Sequence, residues 1–229
     1  ILVFTVYLNA LGADFVADDI PGILQNEEIG KFSSVISRPL RFVQPLLYFV
    51  AYRIGGLNPL PFRIFDLLFH LGNVYLIYIL VSRLLNKKAA FWAAGLFSVH
   101  PILVESVTWI SGGIHSQYAF FILFSLFFYE RFLFTERRKW LVFSVLSSFL
   151  ALASSEKAIV LAPLFLLFLL CFKDWRKLWP TLIPFWLIGF IFGIFYLGGI
   201  GPRLETLQTQ FYQQPQAINP LLQIPIAIT

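Results

Sequence analysis

Long apolar blocks, separated by short charged clusters, restrict what this chain can fold into. Of its 229 residues, 59% are hydrophobic and only 13% are charged, which is too little charge to cover a soluble domain of this length. Blocks of this kind are typical of polytopic membrane proteins, because a hydrocarbon core of ~30 Å needs about 20 helical residues per crossing. The blocks lack the alternation of β-barrel strands. The sequence therefore predicts an all-α membrane bundle.

Seven apolar blocks and the start of an eighth can be delimited, and we treat residues 1–229 as one domain. The chain begins inside the first block and stops inside the last, so we expect a fragment of a longer protein. The predicted membrane helices are Ile1–Ala13, Ile64–Leu85, Ala89–Leu103, Tyr118–Phe134, Trp140–Ala153, Ala158–Phe172 and Trp179–Leu197, with another starting at Leu221–Thr229.

Basic residues are concentrated in three alternate loops, which read "RLLNKKA", "ERRKW" and "KDWRK". Lys and Arg favour the cytoplasmic side of membrane proteins, so these loops are predicted to be cytoplasmic. The opposite side then receives a first outer loop at 14–38 and a last outer loop at 198–220. The net charge of +5 is thus explained by topology, without a nucleic-acid partner.

The segment 39–54 is apolar but carries Arg41 and Arg53, and Pro39 and Pro45 interrupt it. Counting it as a crossing would put the basic loops outside. We therefore predict an amphipathic helix lying at the outer interface. The Gly-Gly and Asn-Pro pairs that follow, at 55–59, predict a turn into the next span.

The first outer loop holds five carboxylates, Asp14, Asp18, Asp19, Glu27 and Glu28, of 12 acidic residues in the chain. From the residues alone, two interpretations of the Asp18-Asp19 pair stand side by side. The two carboxylates either cap a helix that starts near Pro21 or act in a reaction. The other three are expected to be solvated loop charges.

The hairpin tip at 154–157, "SSEK", joins two predicted helices of ~15 residues, each about 22 Å long. Such short helices are expected to stop below the outer headgroups. Charge at that depth is tolerated only against protein or in a water-filled cavity. The tip and the acidic loop together predict a wet pocket that opens outward.

Several stretches follow one another in an order that resembles a known family. They are "FVADDIPGILQNEEI", "SRPLRFVQPLLYFVAYRIGGLNPLPFRIFDLLFHLGN", "AAFWAAGLFSVHPILVESVTWISGG" and "ASSEKAIVLAP". The chain resembles the transmembrane and TPR-repeat O-mannosyltransferases and their bacterial relatives, within the GT-C membrane glycosyltransferases. The resemblance covers roughly residues 1 to 165. Ser155 departs from the family pattern, as do Arg63 and Asp66, and no TPR repeat is present in this sequence.

The resemblance implies transfer of a hexose, most simply mannose, from a polyprenyl- or dolichyl-phosphate donor to a protein hydroxyl on the outer or luminal side. The enzyme would lie in a bacterial plasma membrane or an ER membrane. Asp18 or Asp19 would be the catalytic base. No cofactor and no metal are expected. The further residues expected to bind donor phosphate or substrate are Arg38, His100, Glu105, Glu156, Lys157 and Arg203.

Plainer interpretations of these residues remain open. Arg38 could extend its charge from an interfacial helix to the headgroups, and Glu156 could simply neutralise Lys157. Asp66 and His70 share a helix face, and with Asn73 they favour an interhelical hydrogen-bond network over a substrate site. His115 reads as an ordinary loop residue.

Other functions fit the composition. A GT-C enzyme acting on lipid or cell-wall glycans is the nearest alternative. A transporter or flippase would predict inverted repeats and charges at the bilayer midplane, and the sequence shows neither. A structural membrane scaffold would leave the acidic pair and the charged hairpin tip without a role.

Overall fold

The computed structural model describes residues 2–172 and 178–198, and in those ranges it contains helices and no strand. The all-α prediction is confirmed. Short 3₁₀ or π turns occur at Leu8–Gly12, Ile20–Leu24, Pro101–Leu103, Ser111–Gly113, Glu156–Val160 and Trp179–Leu182. The α-helices are α1 (Leu2–Tyr7), α2 (Ser33–Ile36), α3 (Val43–Gly55), α4 (Pro59–Leu84), α5 (Lys87–Val99), α6 (Val104–Thr108), α7 (Ile114–Thr135), α8 (Arg138–Ser154), α9 (Leu161–Phe172) and α10 (Ile183–Gly198).

Within residues 2–172 and 178–198, three helical segments are long and apolar enough to cross a membrane, namely Pro59–Leu84, Ser111–Thr135 and Trp179–Gly198. A fourth crossing results if Lys87–Val99 and Pro101–Thr108, bent by 52° at His100, count as one broken span. The chain is a helical membrane protein on this evidence. The remaining predicted spans appear as shorter helices, so helix length does not confirm the count of seven.

The starts of α3 and α4 differ from the prediction, and both differences involve proline. Helix α4 begins at Pro59 rather than Ile64, because the Asn58 side chain caps it by accepting a bond from the Leu60 N–H (2.9 Å) and proline suits the first helical position. The predicted turn before it is confirmed, with Gly56 at a φ of +61°. The predicted interfacial helix runs over Val43–Gly55, not 39–54, and its first turn accommodates Pro45.

The chain divides into two compact units, Ile1–Phe192 and Gly193–Thr229. The described part of the second unit is the end of α10, residues 193–198. Residues 199–220 of the predicted last outer loop, which include Arg203, lie outside the described residues, as does the predicted helix start at Leu221–Thr229.

Within the first unit, α4 packs against α5 and α7, and α7 packs against α8. A buried apolar cluster joins the first loop to α3, to α4 and to the segment before α7. It consists of Ile23, Ile29, Ala51, Phe62 and Ile110. The first loop and the segment before α7 therefore share one apolar core with α3 and α4.

Candidate active site

The Asp19 carboxylate links the first loop to the segment that precedes α7. Asp19 is fully buried. Its Oδ1 accepts hydrogen bonds from the backbone N–H of Ser111 (2.8 Å) and from the Ser111 hydroxyl (2.5 Å), and its Oδ2 accepts one from the Val16 N–H (3.2 Å). Asp19 precedes the turn Ile20–Leu24 but makes no capping bond to it. The capping interpretation is therefore wrong for this carboxylate.

Asp18, its neighbour, is exposed. Its carboxylate makes no hydrogen bond or ion pair with residues 2–172 or 178–198, while its backbone carbonyl accepts a bond from the Gly22 N–H (3.0 Å). The two adjacent acids thus differ: the lone pairs of Asp19 are occupied by the protein, and those of Asp18 are available to a ligand.

A cavity of about 720 Å³ lies beside this loop. Tyr48 forms part of its wall, where it donates a hydrogen bond to the Ile110 carbonyl (3.3 Å) and accepts one from Gln44 (2.9 Å). Burial raises the pKa of the Tyr48 hydroxyl, and the nearby carboxylates of Asp66 and Asp19 raise it further, so Tyr48 remains a donor at neutral pH. The full lining is Pro21, Gly22, Asn26, Glu28, Ile29, Ser33, Ser34, Ser37, Arg38, Gln44, Pro45, Tyr48, Ser111 and Ile114.

Arg38 is the cation in the cavity wall, and its guanidinium has no ion pair or hydrogen bond with any residue of the described ranges. Glu28 is the lining carboxylate. Lys31 donates a hydrogen bond to it at 2.5 Å, and Ser33 donates another at 3.3 Å. The bond from Lys31 lowers the pKa of Glu28, so Glu28 stays ionised and already paired. Among the described residues, Arg38 is left as an unpaired positive charge in the wall of an open cavity.

Glu156 forms an ion pair with Arg41, which lies just before α3. The alternative in which Glu156 neutralises Lys157 is therefore wrong. At the hairpin tip Ser154 and Ser155 are buried, Glu156 is half-exposed and Lys157 is exposed. The Arg41–Glu156 pair joins the hairpin tip to the rim of the cavity.

His100 and Glu105 are both exposed and do not belong to the cavity lining. The Nδ1 atom of His100 accepts a bond from the Ile102 N–H (3.2 Å), which caps the turn after the bend. Glu105 and Lys157 are both close enough to His115, at the start of α7, to interact with it electrostatically. These residues surround the same end of the bundle without lining the cavity.

Arg63 connects two segments of the chain through hydrogen bonds, a role that the sequence did not predict. The sequence marked it only as a position that differs from the family pattern. Its buried guanidinium donates to three backbone carbonyls, those of Ala13 (3.0 Å), Asp14 (2.6 Å) and Thr108. These bonds fix the start of the first loop against the end of α6. Ser111 was also missed, because one serine in a loop resembles any other.

The polar face of α4 forms an interhelical network, as predicted. The Nε2–H of His70 donates to the Ser98 carbonyl (3.2 Å), and the Asn73 amide donates to the Ser116 carbonyl (2.9 Å). Asp66 packs directly against Gly113, where an added Cβ would collide with its carboxylate. Within the described residues, no group of three or more His, Cys, Asp or Glu side chains could hold a metal ion.

Comparison with known proteins gives a consistent assignment. Residues 38–197 match the model of the family described as dolichyl-phosphate-mannose-protein mannosyltransferase. The protein O-mannosyl-transferase Tmtc1 of Drosophila melanogaster is 27% identical over 176 residues, which cover 69% of this chain and 20% of that protein. TMTC3 of Mus musculus is 29% identical, over 58% of this chain and 16% of the relative. The protein O-mannosyl-transferase Tmtc2 of Drosophila melanogaster is 34% identical, over 48% of this chain and 14% of that protein. No solved structure gives a significant match.

Proposed function

The chain belongs to the dolichyl-phosphate-mannose-protein mannosyltransferase family, and from that premise we propose that it carries the catalytic end of a membrane mannosyltransferase. The donor is a polyprenyl- or dolichyl-phosphate mannose, and the acceptor is a protein hydroxyl on the outer or luminal side. The chain spans a fifth or less of the length of the relatives named above. The activity of the whole protein is accordingly part of the proposal.

The reaction sets two chemical requirements. The acceptor hydroxyl must lose its proton as its oxygen attacks the anomeric carbon, and a carboxylate within hydrogen-bond reach can take that proton. The bond from the anomeric carbon to the phosphate oxygen breaks at the same time, and the negative charge left on the lipid phosphate needs a cation or several N–H donors.

Asp18 is assigned as the base and Asp19 as the positioning residue. The supporting observation is the contrast between them: Asp19 is buried and its carboxylate accepts three hydrogen bonds, whereas Asp18 is exposed and its carboxylate has no partner within the described ranges. A carboxylate already held by three hydrogen-bond donors has less capacity left to accept the proton of the acceptor hydroxyl than an unbonded one. Asp19 instead fixes the loop that presents Asp18.

Arg38 is assigned to the donor phosphate. It lines the cavity, its guanidinium has no partner among the described residues, and it stands close in sequence to Ser33, Ser34 and Ser37, which line the same wall. A guanidinium can bind phosphate oxygens in a bidentate manner. The basic loops at the opposite end of α4 and α7 favour an orientation in which the cavity opens away from the cytoplasm.

The proposal is tested with the protein in membranes, radiolabelled lipid-phosphate-mannose and two acceptor pools, one of secreted-protein peptides and one of lipid-linked glycans. Label in the peptides supports protein mannosylation. Label in the glycans alone would show that the protein is a glycosyltransferase whose acceptor is a glycan and not a protein. A folded protein that transfers label to neither pool, with dolichyl or undecaprenyl donors, would overturn the assignment, and flipping of the lipid would then be measured.

A further inference from the structure

Two cations share one aromatic ring where α7 meets α8. The guanidinium carbon of Arg131 lies 5.8 Å from the centroid of the Trp140 ring, and the Lys139 ammonium lies 4.9 Å from the same centroid. Arg131 also lies 5.6 Å from the Phe127 ring. Each cation is attracted to the ring, but the two positive charges repel each other. An anion beside them would therefore stabilise the arrangement.

The acidic side chains of this hairpin do not supply that counter-charge. The Nε–H of Arg83 donates to both Glu130 oxygens at 3.0 Å, so Glu130 is already paired. Glu136, at the left-handed residue after α7, is exposed and makes no ion pair within the described ranges. Arg131 and Lys139 likewise have no acidic partner there. The hairpin presents uncompensated positive charge.

The same hairpin presents an apolar surface next to its cations. Phe134, Val142 and Phe143 are all exposed. Stacking with Phe128, at a centroid distance of 5.8 Å, holds Trp140 in place. An aromatic ring between a basic cluster and exposed apolar side chains is typical of a membrane interface, where the headgroup contacts the charges and the acyl chains contact the apolar residues.

We propose that this hairpin binds an anionic phospholipid, with the headgroup phosphate between Arg131 and Lys139 and an acyl chain along Val142 and Phe143. We name it the hairpin lipid site. A soluble anion would satisfy the charges but not the exposed apolar side chains beside them, which is why a lipid is the favoured ligand. The basic first turn of α8 adds to the same positive field. The inference is independent of the proposed enzymatic activity.

The test uses the purified protein in mixed micelles of phosphatidylglycerol and phosphatidylcholine, with retained lipids counted by native mass spectrometry. The wild type is expected to retain phosphatidylglycerol selectively. In the double variant Arg131→Gln/Lys139→Gln its affinity should fall about a hundredfold, because each substitution removes a direct charge-assisted bond to the headgroup phosphate. If that variant does not fold, Lys139→Gln alone should give about a tenfold loss.

Lys87→Gln/Lys88→Gln is the matched control, because it removes the same charge from an exposed pair at the same end of the bundle. Its affinity for phosphatidylglycerol should stay within about twofold of the wild type. Equal losses in the two double variants would show that only bulk charge attracts the lipid, and the site would be rejected. Equal retention of the two lipids by the wild type, or displacement of phosphatidylglycerol by inorganic phosphate, would also overturn it.

Discussion

Asp19 and Ser111, 92 positions apart in the chain, are joined by two hydrogen bonds to one carboxylate oxygen, from the Ser111 N–H at 2.8 Å and from its hydroxyl at 2.5 Å. This contact connects the acidic first loop to the segment that leads into α7. Both segments border the cavity that contains Arg38. The position of Asp18, the proposed base, therefore depends on the contact between its neighbour Asp19 and Ser111, a residue outside the acidic loop.

Ser111→Ala removes the hydroxyl bond and leaves the backbone bond. A hydrogen bond to a charged group contributes about 1.5–3 kcal/mol, so mannose transfer is expected to fall about tenfold or more while the protein still folds. The assay is label transfer by protein in membranes. Ser82→Ala serves as the control, because the Ser82 hydroxyl bonds only the Ile79 carbonyl within α4. Full activity of Ser111→Ala would show that the loop does not depend on this contact.

Gly113→Ala is expected to destabilise the protein strongly, because the added methyl group would collide with the buried Asp66 carboxylate. Overpacking of this kind costs about 1–3 kcal/mol or more. Gly95→Ala is the matched substitution, since nothing lies within 4 Å of its added Cβ, and in helix α5 it should be neutral or stabilising. Thermal unfolding in detergent compares the two. Equal unfolding temperatures would contradict the close contact.

Arg63→Lys should loosen the first loop, because a single ammonium cannot replace three guanidinium bonds to the carbonyls of residues 13, 14 and 108. Each hydrogen bond lost from the charged guanidinium costs about 1.5–3 kcal/mol. Hydrogen exchange of peptides covering residues 13–19 should rise. Arg53→Lys changes an exposed arginine that lies 5.3 Å from the Phe49 ring, and it should leave that exchange unaltered. Identical exchange in the two variants would contradict this role of Arg63.

Sequence patterns predicted the helical class and the association of the acidic loop with the other loops at the same end of the bundle. The start of helix α4 was predicted five residues too late, at Ile64 instead of Pro59. The Asn-Pro pair at 58–59 was interpreted as a loop rather than as an N-cap with a first helical residue, and Arg63 was not expected to be buried. A helix was predicted over 39–54 and is present at Val43–Gly55, but Pro45 was treated as an interruption although a first helical turn accepts proline.

The individual contacts of the site were not predictable from local pattern. Arg41 and Glu156 are separated by 115 positions, and the sequence offered the adjacent Lys157 as the obvious partner for Glu156. The burial of Asp19 beside an exposed Asp18 depends on how the loop packs against Ile110 and Ser111. Residue types alone cannot distinguish two neighbouring aspartates. The roles of His100, Glu105 and Lys157 stay predictions.

The most direct test of the account measures mannose transfer and unfolding temperature for Asp18→Asn beside Glu27→Gln. Both carboxylates are exposed in the same loop, and each substitution removes one negative charge. We expect Asp18→Asn to lower transfer by about a hundredfold or more, the scale of a lost general base, with an unfolding temperature like that of the wild type. Glu27→Gln should transfer normally. Substantial transfer by Asp18→Asn, or an equal loss in both variants, would contradict the assignment of Asp18 as the base.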